Sequence, residues 1–142
     1  MKFNTKTIHG GQITEKGYGA VMPPIYQTST YVQKSPGNHK GYEYSRTQNP
    51  TRTAYEACIA DLEGGIKGFA FASGLAATAT LLEMFDHGSH IIVMDDVYGG
   101  TYRLFENVRR RTAGLQFTFV DLGDINALEE AIQANTRLIW IE

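Results

Sequence analysis

The chain has 142 residues, a length that suits one domain with one sizeable hydrophobic core. Its hydrophobic fraction of 42%, its charged fraction of 20% and its formal net charge of -2 give no basis for binding nucleic acid or an anionic membrane. The single cysteine, Cys58, excludes an internal disulfide, and the start MKFNTKTIHGGQ lacks the apolar core of a signal peptide. We therefore expect a soluble, cytoplasmic protein.

Residues 1–48 show little hydrophobic periodicity and many turn-forming residues, as in HGG, KGYG, MPPI and SPGNHKG. An irregular segment of this length is uncommon inside a compact domain. We therefore predict that residues 1–49 form an N-terminal arm that contacts a neighbouring subunit, and that an α/β domain begins at residue 50.

The first part of that domain predicts two helices separated by a short strand. Asn49 is a favourable N-cap, Pro50 suits the first helical position, and Gly64 predicts the helix end. FAFA at 69–72 predicts a strand. The next helix is expected to run up to Gly88, with an apolar stripe of Leu75, Thr78, Leu82 and Phe85.

The second half alternates strand and helix patterns. The predicted strands are HIIVM, LQFTFV and RLIWI; the predicted helices carry Thr101, Leu104, Phe105 and Val108, and then Ile125, Leu128 and Ile132 after an Asp124 cap. Strands separated by helices imply crossover connections and a parallel sheet. Because the sequence stops directly after an apolar strand, we expect residues 50–142 to be the first part of a longer domain.

The turn Ser73-Gly74 is the first candidate site. It joins a predicted strand to a helix, and the first N–H groups of a helix have no partner within it and attract negative charge. Glycine lets an oxygen-rich group approach the backbone closely, so the turn can hold a phosphate. Close packing of the helix on the strand is the alternative explanation.

The stretch MDDVYGGTYRLF, at 94–105, is the second candidate. It follows a strand and therefore leaves from the sheet edge at which open α/β sheets bind ligands. The ring of Tyr98 can stack on an aromatic cofactor there, and Arg103 can meet a carboxylate. In the alternative interpretation Tyr98 packs under the helix and Arg103 lies on a solvated face.

The stretch YEYSRTQNPT, at 42–51, is the third candidate. Tyr44 and Arg46 are two residues apart, so an extended backbone would place both side chains on one face. A phenol and a guanidinium on one face suit a phosphate or a carboxylate. An ordinary surface pair is the alternative. The basic run at 109–111 is expected to be a solvated helix end.

These stretches together resemble one known family. YSRTQNPTR, FASGLAA and MDDVYGGTYR, in this order and spacing, are similar to the cystathionine γ-lyase and γ-synthase family of pyridoxal-phosphate enzymes of cysteine and methionine metabolism. HGG and PPIYQTSTY match the family too, so the resemblance covers nearly all of the chain. It implies a type I aminotransferase-like fold, pyridoxal 5'-phosphate as cofactor, a small amino-acid substrate and a homotetramer built as a dimer of dimers.

The resemblance also assigns roles to residues. It implies that the backbone N–H groups of Gly74 and Leu75 bind the cofactor phosphate and that Tyr98 stacks on the cofactor ring, as the one catalytic candidate of the chain. Tyr44 and Arg46 are similar to a pair that reaches the phosphate in the neighbouring subunit's site. Substrate binding is expected from Arg46, Tyr98 and Arg103.

The implied reaction is γ-elimination on cystathionine, which gives cysteine, 2-oxobutanoate and ammonia. Methionine γ-lyases tend to have cysteine in the place of Gly100, so YGGT resembles the cystathionine enzymes more closely. Replacement at the γ carbon, as in cystathionine γ-synthases, and a non-catalytic binding module are the alternatives. The family's Schiff-base lysine lies beyond this chain, and we expect these residues alone to be inactive.

Overall fold

The computed structural model describes all 142 residues, which form two compact units, Met1–Ala70 and Phe71–Glu142. The units divide at Ala70, whereas the predicted boundary lies at residue 49. The first helix of the predicted α/β domain is therefore part of the same compact unit as the N-terminal arm. The contact of the arm with a neighbouring subunit stays a prediction. None of the helices combines the length and the hydrophobicity that a membrane span requires.

The first unit contains helix α1 (Phe3–His9) and helix α2 (Pro50–Glu63), joined by a long irregular segment. The prediction that residues 1–48 lack regular structure is wrong for α1. A helix this short is marginal by itself, and a tertiary contact stabilises it. The Lys6 ammonium lies 2.8 Å from a carboxylate oxygen of Asp61 and donates to the Asp61 carbonyl at 2.9 Å.

Gly11 allows the chain after α1 to lie directly against α2. Its φ of +68° favours glycine, and a Cβ there would lie 2.3 Å from the Cys58 nitrogen and 2.6 Å from the Ala54 carbonyl oxygen. The HGG motif thus has a packing role in this unit.

The predicted limits of α2 are confirmed. The Asn49 side chain accepts a hydrogen bond from the Thr51 amide at 2.9 Å, and Pro50 occupies the first turn. Gly64 ends the helix in the left-handed conformation, with a φ of 67°, and donates its N–H to the Ala60 carbonyl.

The second unit is built on a three-stranded parallel sheet. Its elements are α3 (Gly74–Leu82), β1 (His90–Met94), α4 (Gly99–Tyr102), a π-helical segment (Arg103–Arg109), α5 (Arg110–Thr112), β2 (Gln116–Val120), α6 (Ile125–Ala131) and β3 (Thr136–Trp140). The strand order is β2-β1-β3, and both pairings of β1 are parallel. The predicted parallel sheet is confirmed, as is the Asp124 cap of α6.

The core of the second unit lies on one face of this sheet. Ile91 and Val93 of β1 are fully buried and contact Leu82 of α3 in the same hydrophobic cluster. Phe105 stacks on Phe117 with ring centroids 4.8 Å apart. Burial of each such side chain contributes about 1.5–3 kcal/mol, so this face provides most of the apolar stabilisation of the unit.

The predicted strand FAFA is wrong. Residues 69–72 have no strand conformation, and Phe69 and Phe71 are 68% and 44% exposed. A strand needs a neighbour for its backbone groups, and neither edge of the sheet pairs with this segment. The Ala70 amide donates instead to the Glu56 carboxylate at 2.9 Å.

Helix α3 ends at Leu82, earlier than predicted. The amides of Glu83 and Met84 donate to carbonyls three residues back, which tightens the final turn and ends the helix before Phe85. Phe85 is still half-buried against the core.

The predicted helix before Gly114 contains a wider π-helical segment, so it is not one uniform α-helix. The prediction of a solvated basic run is wrong for Arg109, which is half-buried, whereas Arg110 and Arg111 are exposed. Arg109 is paired with Glu83. Arg110 binds both carboxylate oxygens of Glu106 and donates to the Phe117 carbonyl at 2.7 Å.

His90, to which the sequence assigned no role, is a buried polar residue at the start of the central strand. It is 1% exposed, and its Nδ1 and Nε2 atoms each lie 2.8 Å from a threonine hydroxyl, of Thr136 on β3 and Thr118 on β2. Burial, and then the positive charge of Arg110, lower the pKa of His90. Both effects favour the neutral form of the ring.

We expect the free energy of unfolding to be constant above about pH 7 and to fall as the pH drops below the ordinary histidine value of about 6.5. As the pH falls, the His90 ring is protonated in the unfolded chain before it is protonated in the folded chain. The free energy of unfolding therefore decreases, by at most about 1.4 kcal/mol per pH unit. Urea unfolding followed by Trp140 fluorescence between pH 5 and 8 measures this slope. In His90→Gln it should be smaller; an equal slope in both proteins would contradict the assignment.

Candidate functional site

The N-terminus of helix α3 presents two backbone amides without a partner. The Ser73 hydroxyl accepts a hydrogen bond from the Ala76 amide at 3.1 Å, and the Ser73 carbonyl accepts one from the Ala77 amide at 3.1 Å. The N–H groups of Gly74 and Leu75 have no acceptor within the chain. Free amides at the positive end of a nine-residue helix are suited to bind an anion.

Gly74 keeps this helix end accessible. A Cβ built on Gly74 would meet no atom within 4 Å, and Leu75 is 36% exposed. The open space does not support close packing as the reason for glycine here. The two free amides, the helix dipole and the missing side chain together fit a phosphate group.

Tyr98 lies beside this helix end. It follows the loop after β1, directly before α4, and is 62% exposed, so it does not pack under the helix. A Cβ on Gly100 would lie 2.3 Å from the Cε1 atom of Tyr98 and 3.0 Å from the Cδ1 atom of Leu75. Gly100 is therefore the point at which α3 and the Tyr98 loop meet.

The sheet fixes the start of the Tyr98 loop. The Asp95 amide donates to the Val120 carbonyl at 3.0 Å, which continues the pairing of β1 and β2 to their carboxyl ends. The loop thus leaves from the edge at which parallel α/β sheets bind ligands.

Arg103 is an exposed cation one turn after Tyr98, at the first position of the π-helical segment. Its Nη1 atom lies 3.5 Å from the position that a Cβ on Gly99 would occupy. The guanidinium therefore folds back over the start of α4. It is available to a carboxylate near the exposed Tyr98 ring.

Tyr44 and Arg46 meet each other within the first unit, but not through an extended backbone. Tyr44 forms an isolated antiparallel bridge with Thr30, and the amides of Thr47 and Gln48 both donate to the Tyr44 carbonyl, so residues 45–47 form a turn. The Arg46 guanidinium carbon lies 5.1 Å from the centroid of the Tyr44 ring. The prediction of an extended backbone is wrong, while a cation–π contact still brings the two side chains together.

Gly100 is the site residue that the sequence described incompletely. Gly99 and Gly100 lie in the first turn of α4, and Gly100 is buried. The available signal was a pair of glycines at a helix start, where glycine is unfavourable unless another group approaches the backbone.

The chain has many known relatives. Residues 4–142 match the family model of the Cys/Met metabolism PLP-dependent enzymes, and the chain belongs to this family. Pyridoxal phosphate is the cofactor of the family, and the free amides of Gly74 and Leu75 fit its phosphate.

Three relatives illustrate the likeness. The chain is 64% identical to a cystathionine β-lyase of Coxiella burnetii, covering 98% of this chain and 36% of that protein. It is 56% identical to a probable cystathionine γ-synthase of Herpetosiphon aurantiacus, covering 99% of this chain and 44% of that one. The crystal structure of cystathionine γ-lyase from Lactobacillus plantarum, complexed with L-serine, superposes with a TM-score of 0.89 at 53% identity, over 98% of this chain and 36% of that one.

These comparisons confirm the predicted family and fold class. The chain thus spans less than half the length of each of these relatives. The roles of the individual site residues stay predictions.

Substitution of Gly100 tests the close approach of the Tyr98 ring, and substitution of the adjacent Gly99 is the control. We expect Gly100→Ala to cost about 1–3 kcal/mol of stability, because the new methyl group overlaps the Tyr98 ring. Gly99→Ala, whose Cβ would meet only the Arg103 guanidinium at 3.5 Å, should be neutral or stabilising by up to about 1 kcal/mol. Urea unfolding measures both. Equal effects of the two substitutions would contradict the close approach.

Proposed function

We propose that this chain supplies the phosphate site and the aromatic platform of an enzyme that cleaves cystathionine by γ-elimination. In this reaction cystathionine and water give cysteine, 2-oxobutanoate and ammonia. The observation that carries the proposal is the pair of free amides at Gly74 and Leu75 beside the exposed Tyr98 ring.

Each residue contributes a distinct interaction. Bound pyridoxal phosphate supplies an electron-withdrawing ring that accepts negative charge from the substrate carbon atoms. The Gly74 and Leu75 amides bind the phosphate, and the α3 dipole offsets part of its charge. Tyr98 presents a flat ring for stacking, and Arg103 orients the substrate through its carboxylate.

The first unit contributes in trans in this proposal. Tyr44 and Arg46 reach the cofactor phosphate of a neighbouring subunit in a homotetramer, a dimer of dimers, in which each arm completes another subunit's site. Arg46 is a suitable donor because it is exposed and its guanidinium binds phosphate through two hydrogen bonds. It is also expected to contact the substrate, as are Tyr98 and Arg103.

A second candidate is β-elimination, which is favoured by the 64% identity to a cystathionine β-lyase. That reaction cleaves the other carbon–sulfur bond of cystathionine and, with water, gives homocysteine, pyruvate and ammonia. The 56% identical relative favours γ-replacement instead. A binding module without catalysis would hold the cofactor phosphate and convert no substrate.

The phosphate site has a direct test. We expect Gly74→Val to weaken the binding of pyridoxal phosphate by about tenfold or more, because a branched side chain covers the two free amides. Since a Cβ at residue 74 would have no atom within 4 Å, the folding stability of the Gly74→Val variant should change by less than about 1 kcal/mol. Fluorescence titration with pyridoxal phosphate measures the affinity.

Leu82→Ala is the matched reference, because Leu82 is 2% exposed and far along the same helix. It should lose about 2–5 kcal/mol of stability. Unchanged cofactor affinity in a folded Gly74→Val protein would show that the phosphate binds elsewhere.

The keto acid that is released identifies the reaction. In the complete natural polypeptide that contains these residues, we expect cystathionine to yield 2-oxobutanoate, which chromatography separates from pyruvate. Pyruvate would assign β-elimination, and no keto acid from a cofactor-loaded protein would favour the binding module. The 142-residue chain alone should release neither keto acid, since the resemblance places the lysine that would bind the cofactor covalently beyond this chain.

A further inference from the structure

Arg52 contacts the turn that carries Arg46. Its Nη1 atom donates to the Ser45 carbonyl at 3.3 Å, and its Nη2 atom donates to the Thr47 carbonyl at 2.6 Å. These are the two carbonyl groups on either side of Arg46. One guanidinium therefore binds the backbone immediately before and immediately after the proposed phosphate ligand.

Arg52 is itself held in place. It lies in the first turn of α2, and its Nε atom is 3.6 Å from a carboxylate oxygen of Glu56. The same oxygen accepts a hydrogen bond from the Ala70 amide at 2.9 Å. The side chains of Arg52 and Glu56 are 34% and 22% exposed, so water screens this pair only in part.

Asn49 binds the same turn from its other side. Its Nδ2 atom donates to the Ser45 hydroxyl and to the Tyr26 carbonyl, both at 3.1 Å, while its Oδ1 atom caps α2. Hydrogen bonds from the start of α2 thus hold the turn in place. Asn49 has two roles there, whereas both guanidinium bonds of Arg52 go to the turn alone.

We propose that Arg52 is a positioning residue that fixes the backbone of the Tyr44–Thr47 turn, so that Arg46 is preorganised to bind an anionic phosphate. The functional part of this inference rests on the proposed function. Without Arg52, the carbonyls of Ser45 and Thr47 turn toward water and the Arg46 side chain samples more orientations. Lysine cannot replace it, because a single ammonium group does not present two donors in a planar fork.

The geometry is tested by hydrogen exchange. The Thr47 and Gln48 amides, which donate to the Tyr44 carbonyl, should exchange about tenfold faster in Arg52→Lys than in the unchanged chain. Amides in the middle of α2 should keep their rates. Arg52→Gln, which loses both the fork and the charge that faces Glu56, should give an effect at least as large, and Arg111→Lys, at an exposed arginine of the other unit, serves as the matched control. Unchanged exchange in both Arg52 variants would overturn the proposal.

The functional part is tested by a double-mutant cycle on the affinity for pyridoxal phosphate. Arg46→Ala should weaken binding by about tenfold, and Arg52→Lys by about threefold or more. Because Arg52 acts through Arg46, Arg52→Lys should cause no further loss in the Arg46→Ala background. Independent, multiplying losses would show that Arg52 has a separate effect.

The outcomes separate this inference from the proposed function. A loss in Arg46→Ala without a loss in Arg52→Lys overturns the inference alone. No loss in Arg46→Ala overturns the phosphate role of Arg46, and with it the function assigned to Arg52. In that case faster exchange at Thr47 and Gln48 in the Arg52 variants would still show that Arg52 fixes the backbone of the turn.

Discussion

The central strand β1 is the constraint on which the second unit depends. Its residues Ile91, Ile92 and Val93 are fully buried, and both of its edges are paired with parallel neighbours. A parallel strand can only be followed by a crossover connection, so the chain must leave β1 at the carboxyl edge and enter a helix. That requirement places Tyr98 at the ligand-binding edge. The packing of Phe105 between β2 and β3 residues then fixes the helical segment against the sheet.

The candidate site relies on backbone groups more than on side chains. The proposed phosphate donors are the Gly74 and Leu75 N–H groups, which the helix leaves free, while the two oxygens of Ser73 accept from the Ala76 and Ala77 amides. Such donors cost no side-chain entropy when they bind a ligand. They also need open space around them, which Gly74 leaves at the start of α3, while Gly100 lets the Tyr98 ring and the Leu75 side chain come close to the backbone of α4.

Local signals predicted much of the fold, while tertiary contacts determined the rest. The limits of α2 followed from Asn49, Pro50 and Gly64, since caps act within a few residues. The strand FAFA was wrong because strand formation depends on a partner that sequence pattern does not reveal. Helix α1 was missed because it depends on an ion pair with Asp61, distant in the chain. The resemblance of YSRTQNPTR pointed to Tyr44 and Arg46 as candidates, whereas the hydrogen bonds of Arg52 depend on a turn that spacing alone did not predict.

The buried His90 ring links three segments of the chain that are far apart in sequence. Its threonine partners are 28 and 46 residues away, one on each neighbouring strand. Displacing a threonine while the ring stays buried removes one of these hydrogen bonds, and a buried nitrogen left without a partner costs about 1–3 kcal/mol. A one-residue slip of a strand would point its threonine to the opposite face, with the same penalty. The histidine therefore favours the complete sheet in its native register over incomplete or misregistered sheets. This makes the assembly of the three strands more cooperative.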